Sequence, residues 1–240
     1  MALQEQFERD GNWLFRWRSY PPALIVALAL LFIGQFKYPG GDHTLDLLWE
    51  ALCMAVALFG LGVRSYAVGY AGRATSGRNT GKQLAGVLNT TGIYSIVRHP
   101  LYLGNFFIWL GLSMFIRSGW FCLIVALLFW IYYERIMFAE EAFLRGRFGD
   151  EFTEWAETTP AFIPRFANWK PNIKPFSFKT VLRREQSGLL GIVVTFAFLE
   201  AVGDYVVDGR LELDPAWIIV LAAGLLIFCV LTALKKTRVI

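Results

Sequence analysis

The apolar positions of this chain come in blocks rather than alternating with polar ones. Six runs stand out, at roughly 20–37, 47–70, 101–116, 119–138, 187–207 and 214–234. A hydrocarbon core of about 30 Å needs about 20 helical residues to cross it, and tilt, snorkelling or local thinning accommodates the shorter runs. The pattern therefore predicts an all-α integral membrane protein of about six transmembrane helices. Glu200 and Asp204 interrupt the fifth run, which leaves a partly interfacial placement open for it. Runs three and four are separated by little more than Arg117-Ser118-Gly119. That spacing enforces a tight antiparallel hairpin, so residues 98–104 and 134–141 return to the same level.

The polar segments between the runs predict further elements. Residues 1–19 read as an amphipathic cytosolic or interfacial helix with Trp13, Phe15 and Trp17 near the membrane boundary. Pro21-Pro22 suits a first helical turn, and Pro39-Gly40-Gly41-Asp42 reads as an outside turn. Beyond run four, Phe143, Phe148, Phe152 and Trp155 recur at roughly helical spacing, predicting one membrane-lying amphipathic helix that ends near Thr159-Pro160. Pro164, Pro171 and Pro175 then mark an irregular stretch.

Composition agrees with the pattern. The 240 residues are 56% hydrophobic and only 18% charged, against about 25% charged in a soluble domain. Of the 23 Lys and Arg residues, 18 fall on one side of the six runs. They occupy the N-terminus, the 71–100 loop, the 139–186 segment and the C-terminus. The bias predicts that this side, with both termini, is cytoplasmic. Acidic residues run through the N-terminal segment, and no small-residue cleavage site follows the first run, so a removable signal peptide is not expected. Cys53, Cys122 and Cys229 all lie in apolar runs without metal-ligand spacing. They read as packing residues, and no metal site is expected.

Polar chemistry gathers at that basic side. Arg98-His99-Pro100-Leu101-Tyr102-Leu103-Gly104 opens the third run, and Glu140-Glu141 follows the fourth. Taken alone, Arg98 and His99 also read as snorkelling residues at a helix end, and Glu140-Glu141 as a solvated face. Arg64 lies inside run two, where a cation needs a partner. Glu134 and Glu140 are candidates, and a substrate phosphate is the functional alternative. The loop 72–91 carries Arg73, Arg78 and Lys82 without any acidic residue. It suits an anionic head group, although cytoplasmic loops are basic in any case. A transporter would show broken helices and midplane polar residues in two related halves; no internal repeat is visible here. A membrane scaffold is the other alternative class.

The segment from Thr91 to Asn105 resembles the RHPxYxG signature of integral membrane methyltransferases, the isoprenylcysteine carboxyl methyltransferase and phospholipid methyltransferase families. The similarity continues in Glu140-Glu141, in Phe148-Gly149-Asp150-Glu151-Phe152 and in Pro160-Ala161-Phe162-Ile163-Pro164, over roughly residues 85–166. The string from Gly72 through Phe107 further resembles bacterial lipid A 1-phosphate methyltransferases. The resemblance implies S-adenosylmethionine (SAM) as cofactor, held over the hairpin's ends. Tyr94, His99, Pro100, Tyr102, Gly104, Asn105, Glu140 and Glu141 would bind it. Arg98, His99 and Glu140 would be the catalytic set, and Arg64, Arg73, Arg78 and Lys82 would hold the acceptor. The expected acceptor is a membrane lipid with an anionic oxygen, in a bacterial inner membrane. An amine or an isoprenylcysteine carboxylate is the alternative acceptor. Neither nucleic acid nor an obligate protein partner is expected. The chain then divides into an N-terminal helix (1–19), spans one and two with the basic loop (20–84), a methyltransferase core (85–166) and a two-span extension (167–240).

Overall fold

The computed structural model describes residues 2–18, 20–37, 40, 43–71, 85–210 and 213–237. Within them the chain forms helices α1 (Leu3–Trp17), α2 (Pro21–Phe32), α3 (His43–Tyr70), α4 (Ile93–Ile96), α5 (Pro100–Phe115), α6 (Gly119–Phe148), α7 (Asp150–Thr158), α8 (Phe178–Asp208) and α9 (Pro215–Lys236). Short 3-10 turns occupy Ile33–Gln35 and Phe166–Asn168. All six apolar runs are helical. Four of these helices, α3, α6, α8 and α9, are long and apolar enough to cross a membrane; α5 and the α2 region are shorter apolar helices. This is an all-α integral membrane fold.

Local chemistry sets the helix ends. Pro100 and Pro215 sit in the first turns of α5 and α9, where a missing N–H costs nothing. Ser118 and Ser177 cap α6 and α8 by accepting from Phe121 N and Thr180 N. The α5–α6 turn passes through Arg117 at φ 59°, a left-handed conformation that a non-glycine residue adopts at a cost. Its side chain is correspondingly tied down. It pairs with Asp46, lies 3.5 Å from Glu50, donates to the Lys37 carbonyl at 2.9 Å and rests over the Phe36 ring.

One expectation is corrected here, and one open alternative is closed. The amphipathic helix foreseen across 139–158 is divided. Residues 139–148 are the last turns of the 30-residue α6, and Gly149, at φ 57°, breaks the chain before the nine-residue α7. Helical periodicity continued through the break, so the apolar pattern hid it. The fifth run, for which an interfacial placement stayed open, is part of one continuous helix of 31 residues. Its Glu200 and Asp204 face inward and are buried, toward the start of α3 where Trp217 Nε1 donates to Glu50 Oε2 at 2.9 Å.

The bundle packs α3 against α5 and α8, and α6 against α5 and α1. Phe115, Phe196 and Trp217 form an aromatic cluster between α5, α8 and α9. The α3–α5 seam is close: a Cβ on Gly104 would stand 2.6 Å from the Gly60 carbonyl oxygen. Small residues at such positions let helix backbones touch. Amphipathic α1 lies along α6, with the Tyr132 hydroxyl donating to the Leu14 carbonyl at 2.9 Å and the Arg135 guanidinium over Phe7.

Candidate cofactor site

The hairpin does what its short turn implied. The start of α5 and the last third of α6 stand side by side, and the two polar clusters meet. His99, the N-cap of α5, is buried at 5% exposure. Its Nε2 lies 2.9 Å from Glu141 Oε1 and its Nδ1 3.6 Å from Glu140 Oε2. The Tyr102 hydroxyl, one turn further along α5, donates to Glu140 Oε2 at 2.9 Å, and its ring stacks on the imidazole with centroids 5.5 Å apart. Arg98 Nε lies 3.0 Å from Glu141 Oε1, while Nη1 donates to the Ala156 carbonyl at 2.7 Å.

Electrostatics follow from this enclosure. Burial pushes the His99 pKa down, but the bonds and charges of Glu140 and Glu141 outweigh it and hold the imidazole above its ordinary value. The two carboxylates therefore favour the imidazolium more than water does. Burial pushes the Tyr94 phenol up, leaving a neutral aromatic wall.

A second network runs deeper. Arg64 Nε and Nη2 donate to the two Glu185 oxygens at 2.9 and 3.0 Å, and Nη1 donates to Asn105 Oδ1 at 2.7 Å. Asn105 Nδ2 in turn donates to the Tyr133 hydroxyl at 2.8 Å. The expected partners of Arg64, Glu134 and Glu140, are not its partners. Glu134 is exposed, and Glu140 is taken by Tyr102 and His99. Glu185 is a residue that sequence reasoning missed. It precedes the fifth run by two positions and looked like part of the charged RREQ string.

The proline-rich stretch closes the site. Arg98 N donates to the Pro160 carbonyl at 2.9 Å, His99 N to Ala161 at 3.2 Å, and Arg165 N to Ile96 at 2.9 Å. Gly92 pairs with Lys170 across an isolated bridge. Its φ of 61° and the Asn172 side chain pressed against it leave no room for a Cβ, so glycine is required there. The Trp155 indole donates to the Tyr94 carbonyl at 3.1 Å. Thus three of the four stretches singled out in the sequence, 91–105, 140–141 and 160–164, come together by side chain and backbone.

These elements surround a cavity of about 650 Å³. Its polar end is lined by Tyr94, Arg98, His99, Tyr102, Glu140 and Trp155; Pro100 and Asn105 also border it. Arg18 and Arg184 add cations that sequence reasoning had counted only toward topology. An apolar arm continues between α5 and α8, past Ile108, Leu112, Gly188, Gly191 and Ile192. Two predicted site residues take supporting places: Glu141 grips His99 and Arg98, and Gly104 faces α3. Arg73, Arg78 and Lys82 lie outside the described residues.

Fold and site together define a helical membrane protein with a polar, carboxylate-bearing cavity at one end of the bundle. Residues 51–151 match the phospholipid methyltransferase family. The chain is 32% identical over 122 residues to the cobalt-zinc-cadmium resistance protein CzcN of Cupriavidus metallidurans, covering 51% of this chain and 56% of that protein. It is 39% identical over 79 residues to the protein-S-isoprenylcysteine O-methyltransferase of Schizosaccharomyces pombe, 32% of this chain and 33% of that protein. It is 25% identical over 172 residues to the enzyme of that name in Tribolium castaneum, 69% of this chain and 59% of that protein. The chain thus spans about a third to rather over half of the length of these relatives. No solved structure matches.

Proposed function

We propose that this protein transfers a methyl group from SAM to an anionic oxygen of a membrane-embedded lipid. The observation that carries this reading is one cavity with two characters. Its polar lining comes from the residues that resemble the methyltransferase signature, and its apolar lining from two hydrophobic helices, α5 and α8.

The residues present fit SAM. Glu140 can accept from an ammonium or a ribose diol, Arg98 can hold a carboxylate, and the Tyr94 and Tyr102 faces suit a sulfonium, while Glu141 holds His99 and Arg98 in place. When bound, SAM supplies an electrophilic methyl group. His99 fixes Glu140 and Glu141 in place, and Tyr102 orients Glu140 from the other side. An ionised phosphate or carboxylate oxygen needs no general base, so the protein's contribution is alignment, which is worth about 7–11 kcal/mol where it is complete. The aromatic walls and the 160–165 stretch exclude water, which strengthens those fixed charges.

A lipid phosphate, such as the 1-phosphate of lipid A, is our preferred acceptor, supported by the cations Arg18, Arg98 and Arg184 at the polar end and by the basic loop 72–91. A second reading, a carboxylate on an isoprenylated cysteine, draws on the names of the eukaryotic relatives and shares the same anionic-oxygen chemistry. The lysine and arginine bias supports a cytoplasmic site and cytoplasmic termini in a bacterial inner membrane. Residues 85–166 would be the methyltransferase core and 167–240 an extension whose α8 supplies one wall of the acceptor arm.

Mass spectrometry of total lipids from cells with and without the protein tests this directly. A lipid gaining one CH2 in mass, with fragmentation placing it on phosphate, is expected. A gain on an amine would defeat the anionic-oxygen reading, and no gain in any lipid while SAM binds would defeat the lipid acceptor.

A further inference from the structure

The stretch between α7 and the first turns of α8 has a composition that the proposed reaction does not use. From Thr158 to Arg184 there is no acidic residue, while Arg165, Lys170, Lys174, Lys179, Arg183 and Arg184 are all basic. Between these cations stand large apolar side chains that the fold leaves uncovered: Ile163, Phe166, Trp169, Ile173 and Phe178, each between 49% and 84% exposed. A loop in water has no reason to present five such groups in a row.

Its position in the bundle is fixed by the backbone. Ser177 N donates to the Gly69 carbonyl at the end of α3, Arg165 N to Ile96 just before α5, and Phe178 opens α8. The stretch therefore strings together the ends of three apolar helices at one level. In a bilayer, the ends of apolar helices lie where hydrocarbon gives way to head groups. Alternating aromatic and basic side chains at this depth match both parts of the boundary: the rings sink, and the cations stay with the phosphates.

We propose that residues 163–179 form a binding strap for anionic phospholipid in the leaflet beside the site. Arg165, Lys170, Lys174 and Lys179 would contact the head groups, and Phe166, Ile173 and Phe178 would enter the acyl boundary. The occupant is a lipid rather than an acidic protein or nucleic acid, because the apolar groups are interleaved with the cations at the helix ends. The same strap carries the backbone partner of Gly92 and adjoins those of Arg98 and His99. Head-group binding would thus act on the wall of the candidate site.

Native mass spectrometry of the detergent-extracted protein, offered equal phosphatidylglycerol and phosphatidylcholine, provides the test. We expect wild type to retain phosphatidylglycerol at least about fivefold over phosphatidylcholine, roughly what one basic side chain near an anionic surface supplies. The combined R165Q/K170Q/K174Q/K179Q variant should lose most of that preference. The combined R165K/K170R/K174R/K179R variant should keep it. Equal retention of the two lipids by wild type, or an unchanged preference in the glutamine variant, would overturn the proposal. Hydrogen exchange of peptides covering 163–178 in wild-type protein gives an independent reading that does not depend on a variant folding. It should be slower in nanodiscs containing phosphatidylglycerol than in pure phosphatidylcholine, and equal rates would also overturn the proposal. Neither measurement requires SAM or a methyl acceptor, so their outcome is separate from that of the methyltransferase reading.

Discussion

Arg64 and Glu185, 121 positions apart, form a two-point ion pair with nitrogen–oxygen distances of 2.9 and 3.0 Å. The pair joins α3 to α8 beside the cavity, and both side chains are mostly buried. Removing one member of a buried pair strands the other charge, which costs more than the pair itself contributes. Allowing for the quarter of Arg64 that remains exposed, Glu185→Ala should destabilise the protein by about 2–3 kcal/mol. The thermal midpoint in detergent should fall accordingly. The double variant Arg64→Met, Glu185→Leu should recover at least half of the loss. A double variant no better than Glu185→Ala would show that the pair is more than mutual compensation.

His99 and Glu141 should matter for cofactor rather than for folding. His99→Ala and Glu141→Ala are each expected to weaken SAM binding at least about tenfold, the scale of a lost charge-assisted bond, with helical content unchanged. Isothermal titration with SAM measures this. Wild-type affinity in either variant would remove these residues from the cofactor assignment.

Stability should also respond to pH through His99. Its pKa is raised on folding because Glu140 and Glu141 outweigh the opposing effect of burial. A group of this kind stabilises fully below its unfolded value and loses that contribution as pH rises through the folded value. The thermal midpoint should therefore decline as pH climbs above about 6.5, the unfolded reference. His99→Gln should flatten that decline, and identical slopes for the two proteins would contradict the raised value.

The apolar arm yields a separate expectation. Gly188 and Gly191 border it from α8. Gly188→Leu with Gly191→Leu should block the arm and reduce turnover of any lipid acceptor by at least about tenfold, as overfilling a packed space costs about 1–3 kcal/mol. SAM affinity should stay within about twofold, because the substitutions lie away from the polar end. Parallel loss of both would mean that the arm is structural.

The close seam between α3 and α5 can be probed at Gly104. A valine there meets the Gly60 carbonyl and the Arg64 stem, so α5 must move away. We expect a loss of about 1–3 kcal/mol in stability together with weakened SAM binding, since Tyr102 and Asn105 ride on the same helix. Unchanged SAM affinity in a destabilised variant would uncouple the seam from the site.

Much of this was readable from the chain. Apolar blocks of membrane length marked the helices, and the two-residue gap at Arg117-Ser118 returned residues 98–104 and 134–141 to one level; the bond from Tyr102 to Glu140 is a tertiary detail. The break at Gly149 was not readable, because the aromatic spacing on either side continued in phase. Glu185 was hidden by its setting in a charged string at a helix start, where a solvated role is the ordinary reading. Its use is decided only by how α8 crosses α3, a tertiary fact that periodicity does not contain. Arg18 was concealed in the same way: as a terminal cation it counted toward orientation, yet the packing of α1 along α6 turns it to the cavity.

The bonds from Arg98 and His99 to Pro160 and Ala161, and from Arg64 to Glu185, bear on biogenesis. The signature residues leave the ribosome some sixty positions before their backbone partners and more than eighty before Glu185. A nascent chain halted after α6 would hold an inserted hairpin with an open, half-charged pocket. Completion of the site is thus tied to delivery of α8 into the bilayer, and a fragment ending at residue 151 would be expected to require protection by the insertion machinery.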